Sequence, residues 1–195
     1  MSEQQQPANE EVSDGNLDPD DTRPPAKKFI LPMVGCILVG ALAGFLYWTT
    51  SCPCDRTPGF YLFGDEAEGP VDNWSFANDV PLCTLQIYAG WRPHAINLNC
   101  MATPSGELFL SCSVCESKYW AGQVENGELA RLRLNGTVYP VTVNRITDPG
   151  TMDRSWRARV NKLQVHGGGP FNPIPPMDAE RPGHWWTFQI TSRSS

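Results

Sequence analysis

No charged side chain occurs between Phe29 and Thr50, a run of Phe-Ile-Leu-Pro-Met-Val-Gly-Cys-Ile-Leu-Val-Gly-Ala-Leu-Ala-Gly-Phe-Leu-Tyr-Trp-Thr-Thr. A helix built from it has no polar stripe, which argues against the amphipathic core helix of a soluble protein and for a membrane span. Basic residues are also in short supply: 15 Lys and Arg stand against 21 Asp and Glu, for a net charge of -6. That balance excludes nucleic acid as a partner, because holding a phosphate backbone requires basic surface. Histidine is scarcer still. His94, His166 and His184 are scattered, with no carboxylate at a telling offset, and no Ser-His-Asp, metal-helix or phosphate-loop signature appears. The leader Met1 to Lys28 has almost no apolar residues. It cannot offset its ordering entropy by burial, which predicts a disordered tail over 1–28.

The run over 29–50 has the length for crossing a bilayer, since about 20 mainly apolar residues cover about 30 Å of hydrocarbon. Tyr47 and Trp48 supply an interfacial anchor at one end, and Gly35, Gly40 and Gly44 are tolerated where no water competes for the backbone. Arg23, Lys27 and Lys28 crowd the near flank, while only Arg56 follows closely on the far side. The basic flank is therefore expected to stay in the cytoplasm, with the rest of the chain extracytoplasmic, which in a bacterium means periplasmic. A cleaved signal peptide usually has a short basic leader and an apolar region of about 7 to 15 residues. Here a long acidic leader precedes a longer run, so a retained anchor is expected. A lipoprotein linkage at Cys52 is disfavoured by the preceding Thr-Thr-Ser.

Beyond the anchor, one domain with a proper core is the expectation from length. Residues 51–80 carry Pro53, Pro58, Gly59, Gly64, Gly69 and Pro70 between scattered aromatics, and read as a linker and irregular lead-in that lays Phe60, Tyr61, Phe63, Trp74 and Phe76 on that domain. The domain itself is placed at 81–195.

Alternation defines its first strands. Cys83, Leu85 and Ile87 share one face, as do Ile96, Leu98 and Cys100 after the turn residues Ala89 to Pro93. A turn centred between Trp91 and Arg92 pairs Ile87 with Ile96, Leu85 with Leu98, and Cys83 with Cys100. Thr103-Pro104-Ser105-Gly106 then turns the chain into a third strand, Glu107 to Ser113. Ser117 to Val124 suggests a short helix capped by Ser117, with Trp120 and Val124 one turn apart. Asn135-Gly136 between Ala130–Leu134 and Thr137–Ile146 predicts a type I′ hairpin pairing Leu134 with Thr137 and Leu132 with Tyr139. Asp148-Pro149 opens a helix with Met152, Trp156, Val160 and Leu163 inward, and Arg154, Arg157, Arg159 and Lys162 on the solvent side. A Gly- and Pro-rich loop over 165–182 and a last strand around Trp186, Phe188 and Ile190 complete the order. The fold class expected is mainly β with minor α: an antiparallel split β-barrel preceded by a single transmembrane helix.

From Pro81 to about Leu163 the chain resembles the split-barrel flavin-binding superfamily, the pyridoxamine-phosphate-oxidase-like group, and especially its deazaflavin-dependent nitroreductase branch. The landmarks are Gly90-Trp91-Arg92-Pro93, the Gly-Glu-Leu-Phe-Leu-Ser strand at 106–111, Ser117-Lys118-Tyr119-Trp120, and Ala130-Arg131-Leu132-Arg133-Leu134-Asn135-Gly136 leading to Thr147-Asp148-Pro149. The resemblance implies a ring lying against the barrel, with its phosphate held near the end of the third strand and the loop after it. On this sequence those positions are Ser111, Ser113, Ser117 and Lys118, with Arg92 from the first hairpin and Trp120 nearby. A phosphate wants a cation plus short donors, and an aromatic can stack on a flat ring. The implied cofactor is FMN or a deazaflavin. The implied activity is an oxidoreductase acting on a quinone or other small oxidised molecule near the membrane, and the implied assembly is a homodimer. A non-catalytic interaction or structural module on the same barrel is the other class.

The seven cysteines are interpretable only outside the cytosol, where they can pair. Cys36, inside the span, is the obvious odd one. Cys83 and Cys100 predict a cross-strand disulfide or two buried thiols. Cys112-x-x-Cys115 reads as a redox pair, a structural disulfide, or half of a zinc site with Cys52-x-Cys54.

Overall fold

The computed structural model describes residues 27–124 and 127–194. The tail expected at 1–28 falls, up to residue 26, outside the described residues. Contacts divide the chain into two units, Met1–Ala41 and Leu42–Ser195. Helix α1, Lys27–Ser51, begins in the first and ends in the second. From Ile30 to Ser51 it is long and apolar enough to cross a membrane. Its side chains from Ile30 to Tyr47 are exposed. Thr50 closes the helix by donating from its hydroxyl to the Leu46 carbonyl at 2.9 Å.

After α1 come strand β1 (Asp65–Glu66), a 3-10 turn at Ser75–Asp79, β2 (Cys83–Ala89), β3 (Arg92–Leu98), β4 (Cys100–Ala102) and β5 (Leu108–Cys112). A 3-10 turn at Cys115–Ser117 leads to α2 (Tyr119–Gln123), then β6 (Glu128–Leu134), β7 (Thr137–Ile146), α3 (Pro149–His166) and β8 (Trp186–Ser192). The strands form one sheet in the order β3-β2-β6-β7-β8-β5-β4, with β1 added in parallel to β7. Its two end strands are consecutive in the chain, separated only by Asn99. The sheet therefore curls into a mainly antiparallel half-barrel, as alternation and the few helices imply. The last strand, β8, lies inside the order and joins the β6–β7 hairpin to β5.

Asn135 and Gly136 take φ values of 48° and 88°, and the hairpin pairs Leu134 with Thr137 and Leu132 with Tyr139, as Asn-Gly dictates. The first hairpin corrects the expected register. Cys83 lies opposite Leu98, Leu85 opposite Ile96, and Ile87 opposite His94. The cause is a tighter turn, two residues at Gly90-Trp91 with Gly90 at φ 64°, in place of a five-residue one. The slip is two residues, so each side chain keeps its face. Leu85, Ile87, Leu110, Leu132, Val141, Phe188 and Ile190 fill the interior together with Trp74 from the lead-in. Each such side chain contributes about 1.5–3 kcal/mol on burial. Leu62 of the lead-in covers the other face of β2, where its amide donates to the Gln86 Oε1 at 2.8 Å.

Three disulfides join Cys52 to Cys54, Cys83 to Cys100 and Cys112 to Cys115, leaving Cys36 free and exposed. Cys100 reaches Cys83 although it is not its direct partner, because it begins β4 just beyond the end of the β2–β3 ladder. Helix α3 is capped as expected, with the Asp148 Oδ2 accepting from the Thr151 amide at 2.8 Å. It seats on β4 and β5 through a small cluster of Met101, Phe109 and Ala158. This seating turns Arg159 and Lys162 inward, correcting their expected solvent-facing place: both are buried, while Arg154 and Arg157 are exposed. The short helix α2 begins one residue later than expected. Lys118 takes the cap position with no side-chain cap, and the Ser117 hydroxyl donates back to the Val114 carbonyl at 3.0 Å.

Candidate functional site

A cavity of about 490 Å³ lies between the end of β5, the start of α2, helix α3 and the loop after it. Ligand sites of this size, roughly 300–1,000 Å³, usually combine apolar walls with a few convergent polar groups. Its polar lining comprises three cations, Arg56, Lys118 and Arg159, one carboxylate, Asp55, the hydroxyls of Ser111 and Ser113 and the amides of Asn97, Asn99 and Asn172, and the aromatic walls are Trp156, Phe171 and Trp185.

Each element brings its residue for a local reason. The linker after α1 is short and fastened: the Asn97 Nδ2 donates to the Pro53 carbonyl at 3.3 Å and to the Asp55 carbonyl at 3.2 Å. Asp55 sits at φ 48°, a left-handed turn that an Asp tolerates, and the next residue is Arg56. The Arg56 guanidinium lies 3.4 Å from the centre of the Phe171 ring. Ser111 is next to last in β5 and Ser113 follows its end, where Cys112 and Cys115 are clipped together. That clip brings the chain round to Lys118.

Arg159 is the buried centre of the cluster, 5% exposed. Its Nη1 donates to the Ser111 Oγ at 3.0 Å and its Nη2 to the Asn172 Oδ1 at 3.4 Å. Its guanidinium lies 4.4 Å from the Trp185 ring centre. Asn172 is held in turn by the Asn99 Nδ2 at 2.7 Å. Burial pulls the Arg159 guanidinium down to about 10. The Lys118 ammonium is also lowered, first by burial and then by the positive charges of Arg56 and Arg159. Lys118 therefore lies within electrostatic reach of both arginines. Among the described residues, neither Arg159 nor Lys118 has an ion-pair partner.

Like charges gathered at a half-buried site need a counter-charge. The Nε of Arg159 is buried with no hydrogen-bond partner, an orphan donor that a bound anion's oxygen would satisfy. Cations, hydroxyls and amide groups form the donor set that a phosphate takes. The residues present thus fit the phosphate of a nucleotide cofactor. Trp156 and Trp185, edge to face at 5.2 Å, provide apolar surface for a flat ring.

Of the residues that the sequence singles out, Ser111, Ser113 and Lys118 line the cavity. Ser117 is exposed beside them and bonds to the Val114 carbonyl. Arg92 is exposed at the first hairpin, opposite Ala89. Trp120 is a core residue, its ring 5.1 Å from that of Phe188. Sequence reasoning missed Arg56, Arg159, Asn172 and Trp185. The available signal was the polar stripe Ser155, Arg159 and Lys162 on α3, at the same spacing as the apolar one.

Fold and site together define a curled, mainly antiparallel half-barrel with a cleft carrying three cations, following a helix of membrane-spanning length. That sheet is compatible with the split-barrel flavin-binding fold that the sequence resembles. No family model matches the chain, and no curated protein matches it in sequence. Among solved structures, the chain is similar to the FAD binding protein from Mycobacterium smegmatis, with 11% identity and a TM-score of 0.36 over 63% of this chain and 93% of that one.

Proposed function

We propose that the domain binds a flavin-type nucleotide, FMN or a deazaflavin, in this cleft, outside the cytoplasm and tethered to the membrane by α1. The phosphate is assigned to Arg56, Lys118, Arg159, Ser111 and Ser113, and the ring to the wall of Trp156, Phe171 and Trp185. The observation that carries this reading is the convergence of three cations on one cavity, in a protein whose net charge is -6. The disulfides support an oxidising compartment. A bound flavin would carry hydride or electrons to a quinone or another small oxidised molecule, and the chain's part is placement and electrostatics. A homodimer across the barrel belongs to the same reading and is checked by sedimentation.

The test is a titration of the purified full chain in detergent with FMN and with a deazaflavin nucleotide, followed by absorbance and fluorescence. Saturable binding that weakens in Lys118→Ala is the expected result. A colourless protein that binds neither leaves the second reading, a non-catalytic interaction module. One feature favours that module: the guanidinium groups of Arg56 and Arg159 already cover ring faces of Phe171 and Trp185.

A further inference from the structure

The cleft begins very close in the chain to the end of α1. The helix ends at Ser51, the Cys52–Cys54 disulfide shortens the connection, and Asp55 and Arg56 already line the cavity. A fully extended chain covers about 3.5 Å per residue, so Arg56 lies within about 18 Å of the helix end at most. The connection is also fixed to the barrel, because the Nδ2 of Asn97, on the cavity wall, donates to the carbonyls of both Pro53 and Asp55. The Trp48 Nε1, on the last turns of α1, donates to the Pro58 carbonyl at 3.1 Å, and the Trp48 ring lies 6.3 Å from that of Phe60.

The rim of the cavity matches this setting. Phe171 is 60% exposed and Leu82 40%, and both line the cavity beside Arg56 and Lys118. Ile174, on the same loop as Phe171, is 53% exposed. Large apolar side chains interleaved with cations that have no ion-pair partner among the described residues suit the headgroup boundary of an anionic bilayer, where the chains enter the interface and the cations meet phosphates. In bulk water the same residues would be an unexplained apolar rim.

We infer that the rim formed by Arg56, Leu82, Lys118, Phe171 and Ile174 docks on the bilayer that α1 enters and holds the phosphate of an anionic phospholipid headgroup. The lipid and a soluble nucleotide share one chemistry, a phosphate presented to Arg56 and Lys118, and the rim commits to the lipid. The inference rests on the membrane tether of the proposed function and not on flavin binding: at Arg56 and Lys118 a lipid phosphate and a nucleotide phosphate are alternative occupants.

The experiment is amide hydrogen exchange of the full chain in nanodiscs of phosphatidylcholine alone, of phosphatidylcholine mixed with phosphatidylglycerol, and of phosphatidylcholine alone with inorganic phosphate added. Slower exchange over 168–174 and 113–118 in the anionic discs is expected. Each cation contributes about fivefold to contact with an anionic surface, so Arg56→Ala and Lys118→Ala should each remove about that much of the protection. Arg56→Lys should keep most of it, which separates a lost charge from a damaged fold. Equal exchange in the two lipid mixtures would overturn the inference, as would equal protection from inorganic phosphate in zwitterionic discs. FMN titration of the same preparations reads the cofactor separately, so either reading can fail alone.

Discussion

The Arg159 Nη1 donates to the Ser111 Oγ at 3.0 Å, a polar link between helix α3 and the end of strand β5 in the wall of the cleft. A buried guanidinium with a hydroxyl and an amide as its hydrogen-bond partners, and no carboxylate partner among the described residues, is a costly way to join a helix to a sheet. An anion that completed its surroundings would offset that cost.

Arg159→Met, which keeps volume and removes the charge, is therefore expected to raise the stability of the unliganded domain by about 1 kcal/mol. The same change should abolish nucleotide binding. Urea unfolding midpoints and an FMN titration on one preparation read both effects. A loss of stability with binding retained would contradict the assignment.

Lys162 gives a pH signature unrelated to ligand. Its Nζ is buried, donating to the Ala77 carbonyl at 2.7 Å and to the Cys100 carbonyl. Burial pulls it down to about 8, with Asp79 opposing the shift. Above that pH, and up to the ordinary lysine range, the unfolded chain holds a proton that the folded Lys162 has released. Stability should thus rise with pH across that window by about 1 kcal/mol per unit, while below it the full burial cost is present. Unfolding measured at pH 7 and pH 9 without thiols should show the rise in the parent chain and not in Lys162→Met.

The Cys83–Cys100 bridge closes a loop of sequence separation 17, for which restriction of the unfolded chain is worth about 3 kcal/mol. Cys83→Ser with Cys100→Ser should lower stability by about that amount. A mild reductant should then cost the variant much less than the parent.

Val114 sits at φ 52°, a left-handed conformation that a β-branched residue adopts at a cost of about 1–2 kcal/mol. Its side chain is exposed, so little packing is lost on substitution. Val114→Asn should raise the thermal midpoint, and an unchanged midpoint would place the constraint elsewhere in the Cys112–Cys115 clip.

Much of the fold was legible because local chemistry and global pattern agree in particular places. Asn135-Gly136 admits one hairpin, Asp148-Pro149 opens one helix, and the run after Phe29 has no way to hide a polar face. The first hairpin was misplaced by two residues because Gly90-Trp91 makes a tighter turn than the five residues from Ala89 to Pro93 suggest. Face alternation cannot detect that slip, since two residues is its period. The site was legible on the strand side, through Ser111, Ser113 and Lys118, and not on the helix side. Charge on a helix normally marks its solvent face, and the groups that draw Arg159 and Lys162 inward are Ser111 and the carbonyls of Ala77 and Cys100, far away in sequence. Asn172 sits on a Gly- and Pro-rich loop, where no periodicity announces a wall, and alternation gives Trp185 a face of the last strand but not its neighbour Arg159.

A comparison of FMN with riboflavin bears most directly on the cleft as a phosphate site, since the two ligands differ only by that group. Charge-assisted hydrogen bonds contribute about 1.5–3 kcal/mol each, so FMN should bind the full chain at least tenfold more tightly than riboflavin. Lys118→Ala should narrow that gap. Equal dissociation constants for the two, in the parent chain, would contradict the account.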